Sequence, residues 1–491
     1  MSCLSAVPAP YTPIAVSGKW KLSLSVGNVG NIGQLTILIA MASETGHYTG
    51  TFRLARALRA RGYRVAYIGI MDFQQLVCSQ GFEFIPFASD LLPLGYVSKL
   101  ASSLSHARKG AWGRLQKRWA DERFFDEYLR RIDSGALDQC LLSGQPDLLL
   151  CDTLLWYVAI RALRLGIPTV NISTLLSLYD NEHIPPIVSS LYPGQTWWYR
   201  LQVIGAWKWL RFKYLFTKRL ASILFGAYRF PTRMHHLTDV FVRTARRAGY
   251  RCKENETYWF GEVGPRLILP EIVLCPKSFQ LPACPEDGRR YLGDSVDAER
   301  CEEPLPANAL DPQKPLILCS LGSSAFFYPH SRRFFQAVIA ASKLKSEWQF
   351  VLHLGSDGEP ERFGQPEANL LICKQVPQLA LLRRAAVMVT HGGINSIMEC
   401  INFQVPMVVI PGLRDQPGNT TRAVYHGLAL TASMARITPE LLVSLIGRAM
   451  EDTTLRQGLA RIKQEIARER GMENSISFIE KLISSRSAER S

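Results

Sequence analysis

Residues 386–419 read AVMVTHGGINSIMECINFQVPMVVIPGLRDQPGN. The apolar run at 386–390 predicts a strand buried on both faces, the spacing over 394–403 predicts a helix, and residues 406–411 predict a second strand. Such a βαβ unit is right-handed, and its first loop lies at the carboxyl edge of a parallel sheet. Because open α/β sheets bind ligands at that edge, this stretch predicts an α/β domain and the position of its ligand site.

The same alternation of strands and helices occurs in two groups along the chain. Further strands are predicted at 35–41, 64–70, 148–152, 169–173, 316–323 and 349–356, and further helices at 51–61 and 332–343. Two such groups in 491 residues predict two doubly wound, Rossmann-like domains that face each other across a cleft. We expect a tail at 1–33, an N-terminal domain at 34–295, a C-terminal domain at 296–471 and a final helix at 472–491, with residues 294–312 as the linker.

The formal net charge of +15 predicts an anionic partner, which could be nucleic acid, a membrane surface or a phosphorylated substrate. The eleven cysteines are scattered and form no CxxC pair, and several lie in apolar runs, as Cys151 and Cys319 do. Reduced, buried cysteines have this distribution, so we expect a cytoplasmic protein without a structural metal. No apolar run in the sequence approaches the roughly 18 to 20 residues that span a bilayer.

Residues 391–399 have the chemistry of a diphosphate site. His391 and Gly393 lie in the loop that opens the predicted helix, where backbone N–H groups and the helix dipole favour an anion. Asn395 and Ser396 add side-chain donors in the first turn, and Glu399 follows on the same face one turn later. That carboxylate is well placed to accept hydrogen bonds from the hydroxyls of a ribose.

Asp415 and Gln416, beyond the next strand, form an acidic and neutral pair that suits the hydroxyls of a sugar. With this pair included, residues 377–419 resemble the donor-binding signature of the UDP-glycosyltransferase superfamily, which is glycosyltransferase family 1 with the GT-B fold. The matching residues are Pro377-Gln378, Thr390-His391, Gly393, Asn395-Ser396, Glu399, Pro406-Met407, Asp415-Gln416 and Asn419. The Asp-Gln-Pro-Gly-Asn ending is most similar to bacterial members that act on apolar natural products or lipids.

The resemblance implies an inverting glycosyltransferase that moves a hexose from a nucleoside-diphosphate sugar to a hydroxyl of an apolar small molecule or lipid. It implies a donor site in the C-terminal domain, an acceptor site in the N-terminal domain, a UDP-sugar such as UDP-glucose as co-substrate, and neither a cofactor nor a metal. The implied donor-binding residues are Gly322, Ser323, Ser324, Gln375, Val376, Gln378, His391, Gly393, Asn395, Ser396, Glu399, Asp415 and Gln416. Gln375 and Gln404 stand where the family has a uracil-stacking Trp and a glycine, so a TDP-sugar or another nucleotide sugar stays open.

The predicted N-terminal domain contains a candidate acid–base pair. An alcohol that attacks an anomeric carbon needs a base beside it, because protonated alcohols are poor nucleophiles. His47 lies in the first strand-to-helix loop, and Asp152 ends a later strand at the same edge of the sheet. By the resemblance, His47 is the general base, and Asp152 orients it and stabilises its charged form. We expect His353 to be a satisfied core residue and Asp147 to be a turn residue.

Residues 183–238 have a different pattern, with no Asp or Glu and with eight Lys or Arg residues interleaved with aromatic ones. On a helix with 100° per residue, five of the first six cations fall on an arc of roughly 100°. This predicts an amphipathic helix that contacts an anionic membrane surface through residues 197–230, or one that lines an acceptor pocket. An ordinary helix, packed by its aromatic residues and with a solvated basic face, fits the pattern equally well.

Three other functions are compatible with parts of this sequence. A nucleotide-sugar epimerase would need no acceptor pocket, and the aromatic segment at 183–238 disfavours it. A non-catalytic partner that only binds nucleotide sugars is disfavoured because both His47 and Asp152 are present. A nucleic-acid-binding protein is suggested by charge alone, and we expect no such contact because no known binding module accompanies the cations.

Overall fold

A computed structural model describes residues 34–96, 127, 130–131, 134–176, 182–194, 196–225, 252–257, 265–282, 288–306, 309–323, 325, 328, 330–355 and 358–490. The tail expected at 1–33 and the expected donor residue Ser324 lie outside the described residues. The described chain forms two parallel sheets, one in each half, and a separate antiparallel strand pair.

The strands of the N-terminal half are β1 (Thr36–Ala40), β2 (Arg64–Gly69), β3 (Glu83–Pro86), β4 (Leu148–Asp152), β5 (Thr169–Ser173), β6 (Cys252–Thr257), β7 (Pro265–Leu267), β8 (Glu271–Val273) and β9 (Arg290–Tyr291). Seven of them form a sheet in the order β3-β2-β1-β4-β5-β8-β9, while β6 and β7 pair antiparallel with each other. Strands β1, β4 and β5 are buried along their whole length, as continuous apolar runs between two helical layers require.

The helices of this half are α1 (Thr45–Thr49), α2 (Phe52–Ala60), α3 (Gln74–Cys78), α4 (Ala136–Ser143), α5 (Trp156–Arg164) and α6 (Trp197–Phe225). Helix α2 buries the side chains of Phe52, Leu54 and Leu58 against the sheet, and the chain leaves it at Gly62, which has a left-handed φ of +90°. Among the described residues, no helix is both long enough and apolar enough to cross a membrane.

The C-terminal half repeats this architecture. Its strands are β10 (Leu316–Ser320), β11 (Gln349–His353), β12 (Leu370–Cys373), β13 (Ala385–Thr390), β14 (Met407–Val409) and β15 (Ala429–Thr431), in the order β12-β11-β10-β13-β14-β15. Its helices are α7 (Ser331–Leu344), α8 (Gln378–Leu382), α9 (Ile394–Phe403), α10 (Gln416–Tyr425), α11 (Pro439–Glu451), α12 (Thr453–Arg468) and α13 (Gly471–Arg490).

Both large sheets are parallel and doubly wound, so the predicted α/β class with two Rossmann-like units is confirmed. In each sheet the strand order reverses beside the central strand, between β1 and β4 and between β10 and β13. Ligands of such sheets bind outside the carboxyl ends of the strands at this reversal. His47 and Asp152 lie at the reversal of strand order in the N-terminal sheet. Gly322 and His391 lie at the reversal in the C-terminal sheet.

The segment expected to be a linker connects the two units through specific contacts. Its described residues, 294–306 and 309–312, form neither helix nor strand. Arg56 Nε of α2 donates a hydrogen bond to Asp297 Oδ2 at 2.9 Å, and Asn402 Nδ2 of α9 donates to Asp294 Oδ2 at 3.2 Å. The segment therefore links the two halves through specific hydrogen bonds and is not a linker without contacts.

Helix α13 returns from the C-terminal half to the N-terminal sheet. Its side chains Ile476, Ile479 and Ile483 are buried in the same core as the residues of β1 and α2. At its surface, Arg61 Nη1 donates to Glu480 Oε1 at 3.1 Å. The final helix thus fixes the two halves of the chain to each other on the side where α2 lies.

Candidate active site

His47 and Asp152 form a buried pair at the carboxyl edge of the N-terminal sheet. His47 lies in α1, which follows β1, and Asp152 is the last residue of β4. Nδ1 of His47 is 2.5 Å from Oδ2 of Asp152. The backbone N–H groups of Ala42 and Leu154 donate to the carboxylate at 3.2 and 2.9 Å. Asp152 is therefore held in place independently of the histidine.

The charge of Asp152 controls the proton affinity of His47. Burial lowers the pKa of His47, but the negative charge and the hydrogen bond of Asp152 outweigh burial, and the pKa is raised above its ordinary value. An ionised carboxylate can only accept, so we assign the ring proton to Nδ1, which leaves the lone pair of Nε2 available. The pair can take a proton at Nε2 and stabilise the imidazolium that forms.

A further residue, Thr174, touches the ring of His47 and was not among the expected site residues. Its Oγ1 lies 3.3 Å from Nδ1 and 3.5 Å from Nε2 of His47. Thr174 directly follows β5, which is the neighbour of β4 in the sheet. The rule that located Asp152, a polar residue at the carboxyl end of a buried strand, could have located Thr174 as well.

His391 follows β13 and is buried against the loop that follows β10. Burial and the nearby His353 lower the pKa of His391 to about 4, so its ring is neutral at pH 7. Gly322 has a left-handed φ of +78°, and a Cβ at that position would lie 2.8 Å from Cε1 of His391. A Cβ at Gly393 would lie 2.6 Å from Nε2 of the same ring. The two glycines let both loops close tightly around a neutral imidazole.

Glu399, on α9, is buried and has a donor on each carboxylate oxygen. Gln378 Nε2 donates to one oxygen at 2.5 Å and to Ser396 Oγ at 3.3 Å. Arg300 Nη1 donates to the other carboxylate oxygen at 2.8 Å, and Nη2 of the same guanidinium donates to Glu302 at 2.7 Å. Burial lowers the pKa of Arg300, but the two carboxylates outweigh burial and raise it, so the guanidinium stays charged. Arg300 was not among the expected site residues, because it lies in the segment expected to be a linker.

Asp415 and Gln416 lie at the N-terminus of α10. Asn419 Nδ2 donates to Asp415 Oδ2 at 2.8 Å, while burial raises the pKa of Asp415. Gln416 Oε1 accepts from the backbone N–H of Gly412 at 2.9 Å, and its Nε2 donates to Tyr328 Oη at 2.8 Å. These bonds fix the side chains of the pair at the edge of the C-terminal sheet.

The two sheet edges meet through the side chain of Asn395, in the first turn of α9. Its Nδ2 donates to the carbonyl oxygen of Gly46 at 2.6 Å and to Thr49 Oγ1 at 3.2 Å, and both acceptors lie in α1. Beside this contact, Arg414 forms an ion pair with Glu44, directly before α1. The structure therefore brings the expected base and the expected diphosphate site into one cleft.

The remaining expected donor residues lie around the same edge. Ser323 and Gln375 are exposed, and Val376 is half-buried. Outside the donor set, His353 Nδ1 lies 2.7 Å from Ser320 Oγ, and the backbone N–H of Thr36 donates to Asp147 at 2.8 Å. His353, expected to be a satisfied core residue, is half-buried with a hydrogen-bonding partner, and Asp147, expected to be a turn residue, accepts a bond from the start of β1.

Similarity to known proteins begins with the C-terminal half. Residues 303–474 match the family model described as UDP-glucoronosyl and UDP-glucosyl transferase. NDP-glycosyltransferase YjiC of Bacillus subtilis (strain 168) is 31% identical over 219 residues, or 44% of this chain and 54% of that protein, so this match spans about half of the relative. Oleandomycin glycosyltransferase of Streptomyces antibioticus is 26% identical over 445 residues, or 89% of this chain and 88% of the relative. Residues 303–474 are thus similar to that transferase family, and the relatives extend the similarity to most of the chain.

The fold of this chain is the one that the family resemblance implies. A crystal structure titled as the glycotransferase of kitacinnamycin superposes with a TM-score of 0.61 at 21% identity, over 92% of this chain and 100% of that one. The expected GT-B architecture is thereby confirmed. Among the side chains that the structure describes, no group of three or more His, Cys, Asp or Glu residues could hold a metal ion.

Proposed function

We propose that this protein is an inverting glycosyltransferase that moves a hexose from a nucleoside-diphosphate sugar to a hydroxyl of an apolar small molecule or lipid. One observation carries the proposal. The helix that contains His47 touches the N-terminus of α9 through the 2.6 Å hydrogen bond from Asn395 to Gly46. A base on one side of a cleft and an anion site on the other are what direct displacement at an anomeric carbon requires.

The proposed reaction is a single displacement. Nε2 of His47 takes the proton of the acceptor hydroxyl while its oxygen forms a bond to the anomeric carbon, from the face opposite the leaving group. The bond from that carbon to the diphosphate oxygen breaks, and the electron pair leaves with the nucleoside diphosphate. The carboxylate of Asp152, 2.5 Å from Nδ1, stabilises the imidazolium that forms. One attack from the opposite face inverts the anomeric configuration.

The leaving diphosphate would be held at the N-terminus of α9. Backbone N–H groups of the first turn of a helix and its dipole stabilise negative charge, with His391 as a neutral donor beside them. Glu399, held by Arg300 and Gln378, would accept hydrogen bonds from the ribose, and Asp415 with Gln416 would bind the hydroxyls of the hexose. A UDP-sugar is the first donor we propose, with a TDP-sugar as its competitor because Gln375 replaces the stacking Trp.

The acceptor we propose is apolar. The relatives are named for oleandomycin and kitacinnamycin, and the loop that leads into α6 inserts apolar side chains between the two halves of the chain. In that loop, Ile184 and Ile187 are buried, and the backbone N–H of Gly418 in α10 donates to the carbonyl oxygen of Ile187 at 2.8 Å. Apolar side chains of this loop thus pack between the N-terminal half and the helix that begins with Gln416.

The proposal includes a contact with an anionic membrane surface through residues 197–230, where a lipid acceptor would be met. Helix α6 accounts for 197–225 of that range and is rich in both aromatic and basic residues. The rest of the range lies outside the described residues.

The test incubates the purified full chain with UDP-glucose or TDP-glucose and a panel of apolar alcohols and phenols. Mass spectrometry detects a product heavier by one hexose, and the anomeric coupling in its NMR spectrum reports inversion. His47→Ala is compared with His330→Asn, a matched variant at an exposed histidine that begins α7. We expect product with the wild type and His330→Asn and at least a hundredfold less with His47→Ala.

Each other outcome contradicts a specific part of the proposal. Undiminished product with His47→Ala would remove the histidine as base, and retention of the anomeric configuration would remove single displacement. Binding of nucleotide sugars without transfer to any acceptor would favour a non-catalytic partner. Conversion of the donor sugar itself to a stereoisomer would favour an epimerase.

A further inference from the structure

Helix α6 has two apolar faces, and only one of them packs on the protein. Tyr199, Val203 and Trp207 are buried together, with Leu210 packed against them. Trp207 Nε1 also donates a hydrogen bond to the carbonyl oxygen of Ile184 at 2.9 Å. This packed face accounts for two aromatic residues of the helix, so the interpretation of α6 as an ordinary helix packed by its aromatic residues covers only part of its sequence.

The opposite face of α6 exposes large apolar side chains, which we call the outer face. Its residues and their exposed fractions are Trp197 73%, Trp198 57%, Leu201 48%, Trp209 65%, Phe212 54% and Phe216 54%. At about 100° per residue they span an arc of roughly 120°, centred about 180° from the packed face. An exposed apolar patch of this kind marks an interaction site.

The aromatic rings of the outer face pack on each other instead of on the domain. Phe212 stacks on Trp209 and on Phe216, with ring centroids 5.7 Å apart in both pairs, and Trp197 lies edge-on to Trp198 at 5.7 Å. The outer face therefore carries two aromatic clusters, Trp197 with Trp198 and Trp209 with Phe212 and Phe216, separated by about 16 Å of helix.

Basic residues border this surface. By helical position, Arg200 and Arg211 lie along one edge, Lys208 lies within the face, and Lys213 lies along the other edge. Arg200 forms an ion pair with Glu182, in the loop before the helix. The sequence between 183 and 238 has no Asp or Glu, and the whole chain has a net charge of +15. Tryptophan and phenylalanine with flanking cations match the depth profile of an anionic bilayer, where rings enter the boundary with the acyl chains and cations meet the headgroups.

We propose that the outer face of α6 docks the enzyme onto the surface of an anionic lipid bilayer. The helix lies in the plane of the interface and does not cross it, because among the described residues no helix is apolar enough to span a membrane. A second copy of the chain is a poorer occupant, since two such faces brought together would also bring together their bordering cations.

The packed face connects this docking surface to the cleft. Trp207 and Tyr199 hold the loop before α6 through the carbonyl oxygens of Ile184 and His183, at 2.9 and 3.4 Å. The same loop contacts α10 through the bond from Gly418 to Ile187. An enzyme docked through α6 thus has the loop that packs on α10 beside the bilayer. The docking surface rests on the proposed function, which includes a membrane contact of this segment, but vesicle binding measures that contact without the reaction.

The test measures binding of the full chain to vesicles by co-sedimentation, without substrates. One set of vesicles is pure phosphatidylcholine and the other contains phosphatidylglycerol as the anionic lipid. Trp209→Ser/Phe212→Ser/Phe216→Ser removes half of the outer face. Its matched control, Leu94→Ser/Leu142→Ser/Leu344→Ser, removes three apolar side chains that are 70%, 52% and 53% exposed elsewhere.

We expect the wild type and the control to bind anionic vesicles about tenfold or more tightly than neutral ones, and the outer-face variant to lose about tenfold or more. Circular dichroism and transfer to a water-soluble acceptor should match the wild type in both variants. Equal binding by the outer-face variant, or none by the wild type, overturns the proposal. A wild-type dimer that the variant converts to a monomer assigns the face to a second copy, and a raised KM for the soluble acceptor without vesicles assigns it to acceptor binding.

Failure of the proposed function is distinguishable from failure of docking. If the chain docks on anionic vesicles and transfers no sugar, docking stands and the proposed reaction falls. If the chain transfers sugar and binds no vesicles, the proposed reaction stands and docking falls.

Discussion

Asn395 Nδ2 lies 2.6 Å from the carbonyl oxygen of Gly46, across the cleft and 349 residues away in the sequence. Gly46 immediately precedes His47, so the first turn of α9 is in direct contact with the helix that carries the candidate base. A hydrogen bond between these elements couples the closure of the cleft to the position of the imidazole.

Asn395→Ala removes this bond and should lower kcat/KM by about threefold to tenfold. The bond is accessible to solvent, so its loss costs on the order of 1 kcal/mol, and water can hydrate the freed carbonyl oxygen of Gly46. Asn402→Ala is the control, because Asn402 lies on the same helix and donates to Asp294 instead of to α1. We expect the control to keep kcat/KM within about twofold. Equal losses of kcat/KM in the two variants would show that activity depends on α9 in general and not on its contact with α1.

The pH dependence of transfer should follow the pKa of His47. Protonated His47 cannot act as base, so kcat/KM should rise as pH passes upward through the raised pKa. In Asp152→Asn the charge that raises this pKa is lost while burial remains, so the rise should move to lower pH. The value of kcat/KM at the high-pH plateau should also fall by about 10² to 10⁴, because the imidazolium is no longer stabilised.

Glu44→Gln is the control for this pH profile, because it removes a smaller influence on the pKa of His47. Glu44 raises the pKa of His47 through its charge alone and less strongly than Asp152 does. Its variant should therefore move the rise slightly to lower pH and keep most of the plateau. A profile in Asp152→Asn that keeps its plateau, or that moves to higher pH, would contradict the assignment of the pair.

The sequence predicts those parts of the fold and site that depend on local patterns. The helix expected over 394–403 lies at Ile394–Phe403, and each apolar run predicted as a strand contains a strand. The strands predicted at 316–323 and 349–356 end earlier, at Ser320 and His353, where the chain enters the loops of the carboxyl edge. The family resemblance pairs His47 with Asp152, and the fold agrees with it, because His47 follows one strand of a parallel sheet, Asp152 ends another, and such ends share an edge.

Contacts of long side chains between distant loops have no such pattern. Arg300 reaches Glu399 over 99 residues, and Asn395 reaches Gly46 over 349. Neither alternation nor helical spacing reports which loop a side chain touches. The division of the aromatic residues of α6 between a packed and an outer face also depends on which neighbour lies beside the helix, and the helix repeat alone cannot supply that.

Gln404 ends α9 in a left-handed conformation, with φ 56° and ψ 40°, where the family has glycine. This conformation costs a residue with a Cβ about 1–2 kcal/mol. Glycine removes that cost, but its unfolded chain has more conformational freedom to lose, which offsets part of the gain. Gln404→Gly should therefore raise the free energy of unfolding by about 0.5–1 kcal/mol, measured by urea denaturation. Gln404→Ala keeps the Cβ and should give no gain, so equal effects of the two substitutions would rule out backbone strain as the cause.

Arg300 and Glu399 form a buried ion pair, and its two partners can be separated by substitution. Arg300→Leu leaves the carboxylate of Glu399 buried without its cation, which should lower the free energy of unfolding by about 3–5 kcal/mol. Arg362→Leu is the matched control, since its pair with Glu359 is exposed and should change stability by less than about 1 kcal/mol. Denaturation of the three proteins by urea measures both differences.

The double variant Arg300→Leu/Glu399→Leu separates the effect of the pair on stability from its effect on donor binding. Apolar replacement of both members of a buried pair is often neutral, so the double variant should recover most of the stability that Arg300→Leu loses. Glu302 also loses the guanidinium of Arg300 and is left with the backbone N–H of Leu379 at 2.9 Å, so a small deficit should remain. Its affinity for UDP-glucose, measured by calorimetry, should nevertheless fall about tenfold or more, because a carboxylate proposed to bind the ribose is gone. Wild-type affinity in a stable double variant would show that the pair only holds α9 against the segment between the sheets.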